Sequence, residues 1–476
     1  MNTYTNNYWS IFMEYLKDFD SLNYKGYSLS YLIHFPSLIR NHKELWINLA
    51  EKQYTKNLKR QVGAKEVQQD FNQYVQSLKP KSRRKKAKQG KIVFVADRLL
   101  RFPKETFTKY FSEKQTMLLI TSNKDDKSQL ERDNAKYYER MGIPFQYLSS
   151  YRHDIRAPRT QLMIQLNHLF KKYKKHDIYQ EEMFQNMFRV KIDATIHLIE
   201  MVEHMIASVP VSCFVISSPN HYGRVVAFVA AKNGIPTVCM QHGIIGNELG
   251  YIPKVATVDA LYGQIDVNWY QQRGANRDSL AIIGHPRFDQ AFASAKYSKI
   301  KFASMLGIDT KKKTLLLIVR ENRNLQKWKQ MIDRISKELD VNLIIRDFEN
   351  NQQHPLVKQY PAIHSTRALE LYDILPHVDA VVSYTSTVAL EAMLVGKPCF
   401  IMHSRIPGYS GYYDSFSPFI QKDPNNLARL IIRYFNEEKQ RRFAEEKRKQ
   451  FLAYAYPNAV PSGKRLKDLI ERLTKQ

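Results

Sequence analysis

Residues 381–400 read VVSYTSTVALEAMLVGKPCF. Val381 and Val382 belong to a β-branched run suited to a buried strand, Val388, Ala392 and Val395 recur at helical spacing, and Cys399-Phe400 opens a second apolar run. The stretch therefore predicts strand, helix, strand, with Gly396 and Pro398 ending the helix. The joint between the first strand and the helix consists of five consecutive hydroxyl side chains, Ser383, Tyr384, Thr385, Ser386 and Thr387. One of them, Ser386 or Thr387, suffices to cap the helix by accepting backbone N–H bonds. A helix N-terminus at the carboxyl end of a strand also offers free N–H groups and a positive dipole end to a phosphate. The surplus hydroxyls fit that second task as well as they fit a solvated cap.

The same alternation extends through most of the chain. KIVFVADR (91–98), TMLLITS (116–122), VSCFVISS (211–218), IPTVCMQ (235–241) and DALYG (259–263) read as short apolar strands separated by helical or polar segments. LAIIG (280–284), KTLLLIVR (313–320), VNLIIRD (341–347), DAVVSY (379–384) and KPCFIM (397–402) form a second series. Strands alternating with helices imply parallel sheets covered on both faces. The expected class is α/β, with two doubly wound Rossmann-type domains at 91–275 and 276–425 and a hinge within 264–312. A helical, aromatic-rich region precedes them at 1–79, where Tyr8, Trp9, Phe12, Tyr15 and Phe19 follow near-helical spacing, and C-terminal helices follow at 426–476. Asp18-Phe19-Asp20 has the form of a metal-dependent sugar-transferase motif but falls in the helix-like stretch, far from any strand end, and reads as surface.

With 476 residues, 43% hydrophobic and 25% charged, the chain has a globular composition that excludes a disordered protein. Cys213, Cys239 and Cys399 sit in separate apolar runs, as small buried hydrophobes do. No apolar run approaches the roughly 20 residues a bilayer span needs. The expected setting is the reducing cytoplasm. The net charge of +27, from 73 Lys plus Arg against 46 Asp plus Glu, calls for an acidic partner. Its densest cluster, in the basic linker at 80–90, holds Lys81, Arg83, Arg84, Lys85, Lys86 and Lys88, with Lys79 just before. A solvated linker and a contact with the anionic inner face of the membrane both fit this run. Nucleic acid is not an expected partner, because no helix-turn-helix, RNP-like or zinc-finger pattern accompanies the charge.

Ligands of open parallel sheets bind outside the carboxyl ends of the strands. There the first series places Ser217, Ser218, Asn220, His221, Tyr222 and Arg224, then Gln241, His242 and Gly243. At the joint between the series stands GHPRFD, Gly284 to Asp289, in which Arg287 has the planar fork suited to a phosphate. His242 is the first candidate general base and His221 the second, since the ordinary histidine pKa lies near neutral pH.

QHG, GHPRFD, VDAVVSYTSTVALEAMLVGKPCF and GYSGYYDSF, in this order across roughly 210–420, resemble the CDP-glycerol glycerophosphotransferase family of teichoic-acid-type polymer synthesis, within the wider GT-B transferases. The chain is also similar to bacterial capsule and spore-coat polysaccharide enzymes, including nucleotide-sugar transferases. The resemblance implies a GT-B-like fold and a metal-free, cofactor-free transfer from a nucleotide-diphosphate donor to the hydroxyl of a lipid-linked or polymer acceptor. Carried over by position, it implies catalysis by His242, beside Gly243. It implies donor binding by Gly243, Gly284, Arg287, Asp289, Thr385, Ser386, Thr387 and Glu391, the last toward the ribose. Asn220, Arg224, Tyr412 and Asp414 are the expected acceptor-side or loop residues. The chain departs from the family at Gln241, where Trp is usual, and at Tyr384, where Asp is common. It departs again in displacing His354-Pro355 from the strand end at Arg346. The first two departures leave room for a nucleotide-sugar donor instead of CDP-glycerol. A GT-B-like fold also serves nucleotide-sugar 2-epimerases, and the basic field alone would serve a non-enzymatic polyanion binder.

Overall fold

The structure, a computed structural model, describes residues 2–80, 90–122, 127–319, 324–346, 353–366, 369–457 and 461–475. A small antiparallel hairpin, β1 (Asn23–Tyr24) and β2 (Tyr27–Ser28), lies in the N-terminal region. The first domain carries β3 (Lys91–Ala96), β4 (Thr116–Ile120), β5 (Phe145–Tyr147), β6 (Val211–Ile216), β7 (Thr237–Met240), β8 (Val258–Leu261) and β9 (Leu280–Ile282). These form one parallel sheet in the order β5-β4-β3-β6-β7-β8-β9. The second domain carries β10 (Lys313–Ile318), β11 (Val341–Arg346), β12 (Ile363–Ser365), β13 (Ala380–Tyr384), β14 (Cys399–Met402) and β15 (Ile420–Gln421). Its sheet, also parallel, runs β12-β11-β10-β13-β14-β15. All residues of β4, β6 and β7 are buried, as strands covered on both faces must be.

The chain is thus α/β with two Rossmann-like domains, and the first sheet extends further than the sequence reading allowed. LAIIG, assigned there to the second series, pairs with β8 through Asp259–Leu280 and Leu261–Ile282, so its strand closes the first sheet and the 275/276 boundary falls too early. A short apolar run carries no mark of the sheet it joins.

The N-terminal aromatics are core. Tyr8, Trp9, Phe12, Tyr15 and Phe19 are all buried, and Phe12 lies 5.5 Å from Phe35 and 6.0 Å from Phe71, ring centre to ring centre. They join the first sheet's residues Val93, Val95 and Phe214 in one apolar cluster. Burying each ring removes of order 150–250 Å² from solvent, and the first domain is what buries it. The basic run lies mostly outside the described residues, which resume at Gly90. Among the described residues no helix is long and apolar enough to cross a membrane.

The C-terminal helices Pro424–Asn436, Glu438–Ala455 and Ser462–Lys475 connect the two domains. Phe451 and Ala455 belong to the second domain's core, whereas Leu466, Leu469 and Ile470 pack with Phe94, Phe107 and Val215 of the first. The crossing is made possible by glycines: a Cβ on Gly263 would lie 2.3 Å from the Tyr454 carbonyl oxygen, and one on Gly284 would lie 2.2 Å from the Tyr456 hydroxyl. Cys213, Cys239 and Cys399 are buried and free.

Candidate active site between the domains

The hydroxyl-rich joint forms as its sequence predicts, with β13 leading into the helix Thr387–Leu394. Its hydroxyls do not do what a cap alone would ask. Ser386 is the N-cap residue, yet its side chain accepts none of the helix's N–H groups. It lies instead 3.2 Å from the Ser383 hydroxyl. Thr385 Oγ1 is 3.0 Å from His403 Nδ1, and Thr387 Oγ1 accepts the Ile244 N–H of the first domain at 3.1 Å. The first-turn N–H groups of a helix have no intrahelical partner, and here no capping side chain takes them.

The Thr387 bond places the two halves of the site together. Ile244 follows His242-Gly243 at the carboxyl end of β7, and a Cβ on Gly243 would sit 3.2 Å from Thr387 Oγ1. Ser410 N–H donates to the Gly246 carbonyl at 3.0 Å, and the Ser410 hydroxyl to that of Ile245. His242 is half-buried and stacks on Tyr251 at 4.7 Å with an 8° interplanar angle. Its Nδ1 is buried and has no hydrogen-bond partner among the described residues. Burial lowers its pKa to about 4, against the pull of the Ser217 carbonyl, so the imidazole is neutral above that pH and free to accept a proton.

His221 lies at the start of the helix His221–Lys232 with φ +46, and burial together with Lys191 and Arg224 lowers its pKa to about 4. Asn220 is the N-cap residue, and its amide donates to the Gly250 carbonyl at 3.4 Å. Arg224 is buried, donating from Nε to the Pro219 carbonyl and from Nη2 to Asn220 Oδ1, both at 3.0 Å.

GHPRFD turns out to hold the molecule together. The positive φ of Gly284, +75, lets the chain pass Tyr456, whose hydroxyl accepts the His285 N–H at 3.1 Å. Asp289 accepts the N–H groups of Ser462 and Gly463 at 2.7 and 3.1 Å, capping the last helix. Both of its carboxylate oxygens are engaged in that cap. Arg287 and Glu391, expected to reach phosphate and ribose separately, pair with each other. Glu391 is fully buried and also accepts the Tyr372 hydroxyl at 2.7 Å, so it presents no oxygen to a ribose in this arrangement. The Arg287 side chain keeps 24% of its surface exposed, enough to meet an anion from its open side.

In the GYSGYYDSF loop, Tyr412 is buried and lines a cavity of about 240 Å³ between the domains, with Ile245, Asp266 and Trp269. Asp414 faces Gly411, where a Cβ would come within 2.8 Å of its carboxylate. Three residues that the sequence reading passed over also shape the site. Tyr413, fully buried, donates to the Ser386 carbonyl at 2.7 Å and fixes the hydroxyl loop from behind. His403 stands one residue beyond β14, a strand-end position that could have singled it out. Asp97, just after β3, accepts the Ser217 hydroxyl and lies by the same reasoning where a ligand would be met.

No protein-family model matches the chain. No curated protein matches it either. Among solved structures it is similar to a Listeria monocytogenes protein described as a UDP-N-acetylglucosamine 2-epimerase, with a TM-score of 0.53 and 11% identity over 82% of this chain and 98% of that one. The S. aureus MnaA-UDP co-structure is similar with a TM-score of 0.51 and 10% identity, over 81% of this chain and 97% of that one. The glycotransferase of kitacinnamycin gives a TM-score of 0.50 and 10% identity, over 81% of this chain and 99% of that one. At these identities the likeness establishes the arrangement of two Rossmann-like domains.

Proposed function

We propose that this protein is a transferase that binds a nucleotide-diphosphate donor in the cleft between its domains and passes the activated group to an acceptor hydroxyl. The observation that carries the reading is the bond from Ile244 N–H to Thr387 Oγ1 at 3.1 Å. It sets a neutral imidazole, whose Nδ1 has no partner among the described residues, on one domain beside an uncapped helix N-terminus on the other. Donor phosphates would lie on Thr385, Ser386, Thr387 and the N–H groups of the helix Thr387–Leu394, with Arg287 at the side. His242 would take the proton of the acceptor hydroxyl as its oxygen attacks. The charge developing on the leaving nucleotide would meet N–H dipoles already in place.

The transferred group we propose is glycerol phosphate, from CDP-glycerol. The acceptor oxygen attacks the phosphorus bearing glycerol, the pyrophosphate P–O bond breaks, and CMP leaves. The ordered motifs QHG, GHPRFD and GYSGYYDSF support this donor. A nucleotide sugar is the second reading, favoured by Gln241 and Tyr384, by the similar fold of a glycotransferase and by that of a protein solved with UDP. In that case the bond breaks at the sugar carbon and the nucleoside diphosphate leaves; product formed without an acceptor would instead mark a 2-epimerase. Incubation with each donor and a bacterial envelope extract decides among them, because acceptor-dependent release of CMP is expected. Release of UDP with sugar transfer would overturn the glycerol phosphate assignment.

A further inference from the structure

Arg224 poses a problem that its hydrogen bonds leave unsolved. Its residue is 2% exposed, and a guanidinium out of water costs several kcal/mol unless it is paired. Nε and Nη2 are satisfied by Pro219 and Asn220, yet Nη1 has no partner among the described residues. Among those residues it forms no ion pair; the groups that act on it are the phenols Tyr8 and Tyr15, and its closest aromatic face is Phe71 at 5.6 Å.

Two imidazoles and a further cation, Lys191, stand beside it. His34 and His221 have ring centres 4.7 Å apart, and His34 Nδ1 is 2.9 Å from the Ser37 hydroxyl. Beyond burial, the cations that act on both histidines are Arg224 and Lys191, and together with burial they keep the two rings neutral near pH 7, so each ring offers a hydrogen bond rather than a charge. All of this gathers at the N-terminus of a 12-residue helix, His221–Lys232, whose dipole adds the same sign. Gly223 lets that helix close on the preceding loop, since a Cβ there would lie 2.0 Å from the Ser218 carbonyl oxygen. The place is also next to the proposed base. The Ser217 carbonyl beside His242 and the Asn220 side chain that holds Arg224 belong to one loop, and Asn220 reaches Gly250 on the segment that follows His242.

We propose that this cluster is the subsite for a phosphate group on the acceptor, held by Arg224, Lys191, His34 and His221 while the acceptor hydroxyl meets His242. A planar guanidinium with an unfilled donor, two imidazoles and a helix N-terminus match a phosphate better than a neutral polyol, which would leave the charge uncompensated. The assignment rests on the transferase reading, to which it adds the chemical class of the acceptor.

The test uses the full-length protein with isotope-labelled histidine, its His34 and His221 resonances assigned through His34→Gln and His221→Asn. In one arm inorganic phosphate is added. In the other, phosphatidylglycerol vesicles are compared with phosphatidylcholine vesicles. Saturable shifts of both resonances are expected, with phosphate if the acceptor is water-soluble, or with the anionic vesicles alone if it is lipid-linked. Lys191→Gln should weaken the response roughly tenfold, the loss expected for one charged phosphate contact. Arg224→Lys should weaken it further; should that variant not fold, Lys191→Gln decides alone. Unmoved histidines in both arms, or shifts that Lys191→Gln leaves unchanged, overturn the proposal. Nucleotide binding by the same sample separates the two readings. If nucleotide binds while the histidines stay silent, only the acceptor assignment falls. If phosphate shifts them while no nucleotide binds, the donor reading falls instead.

Discussion

His242 is the residue on which the proposed chemistry turns, and its environment makes a specific claim about pH. A base must be neutral to act, and burial lowers this imidazole to about 4, so the neutral form persists well below the ordinary histidine range. The acidic limb of kcat/KM is therefore expected near pH 4 to 5 rather than near 6.5, as long as the fold survives there. His221 is lowered to the same range, so the variant decides between the two: a limb that vanishes in His221→Asn would move the base to His221. His242→Ala should abolish transfer while leaving donor affinity within a few-fold, since the group acts mainly in the transition state. Calorimetry of the donor beside an assay of turnover separates the two effects. Arg287 and Glu391 act differently, because a fully buried carboxylate that satisfies both a guanidinium and the Tyr372 hydroxyl holds the site's shape.

At the scale of elements, the strand β13 and the helix Thr387–Leu394 form the piece that local sequence specifies best. The β-branched run, the helical spacing of Val388 and Ala392, and the stop at Gly396 are all short-range features, and the structure follows them. What the hydroxyls bond to was not legible, because Ile244 and His403 meet this loop only through the packing of separate strands and domains. The same limit explains LAIIG, which joined the first sheet, and Asp289, whose partners at Ser462 and Gly463 lie at the far end of the chain. For the hydroxyl loop a sharp expectation follows. Since Ser386 makes no capping bond, Ser386→Ala should cost well under the roughly 1 kcal/mol of a lost N-cap, as read by urea unfolding. The double substitution Ser386→Ala, Thr387→Ala should weaken nucleotide binding severalfold or more. A full capping loss with unchanged nucleotide affinity would reduce the loop to a structural turn.

Over the whole molecule, the N-terminal aromatic layer, the two sheets and the returning C-terminal helix form one scaffold around the cleft. Trp9 reaches across it, donating its indole N–H to Glu248 at 2.6 Å, and Arg273 holds the other oxygen of that carboxylate at 2.7 Å. The segment after His242 is thereby tied to the first helix. With those aromatics buried, membrane attachment is left to charge, and we propose that the basic run around residues 79–88 supplies it. Cosedimentation with anionic vesicles is expected to fall steeply between low and physiological salt, and equal binding to neutral vesicles would remove the idea. The central claim is that the cleft takes a nucleotide-diphosphate donor, and thermal unfolding of the intact protein tests it most directly. CDP-glycerol, CDP, UDP and UDP-sugars would each be added in large excess, where a ligand at 100 times its dissociation constant stabilises by about 2.7 kcal/mol. The account predicts a clear rise in melting temperature with cytidine ligands, lost in the Ser386→Ala, Thr387→Ala protein; no rise with any nucleotide would contradict it.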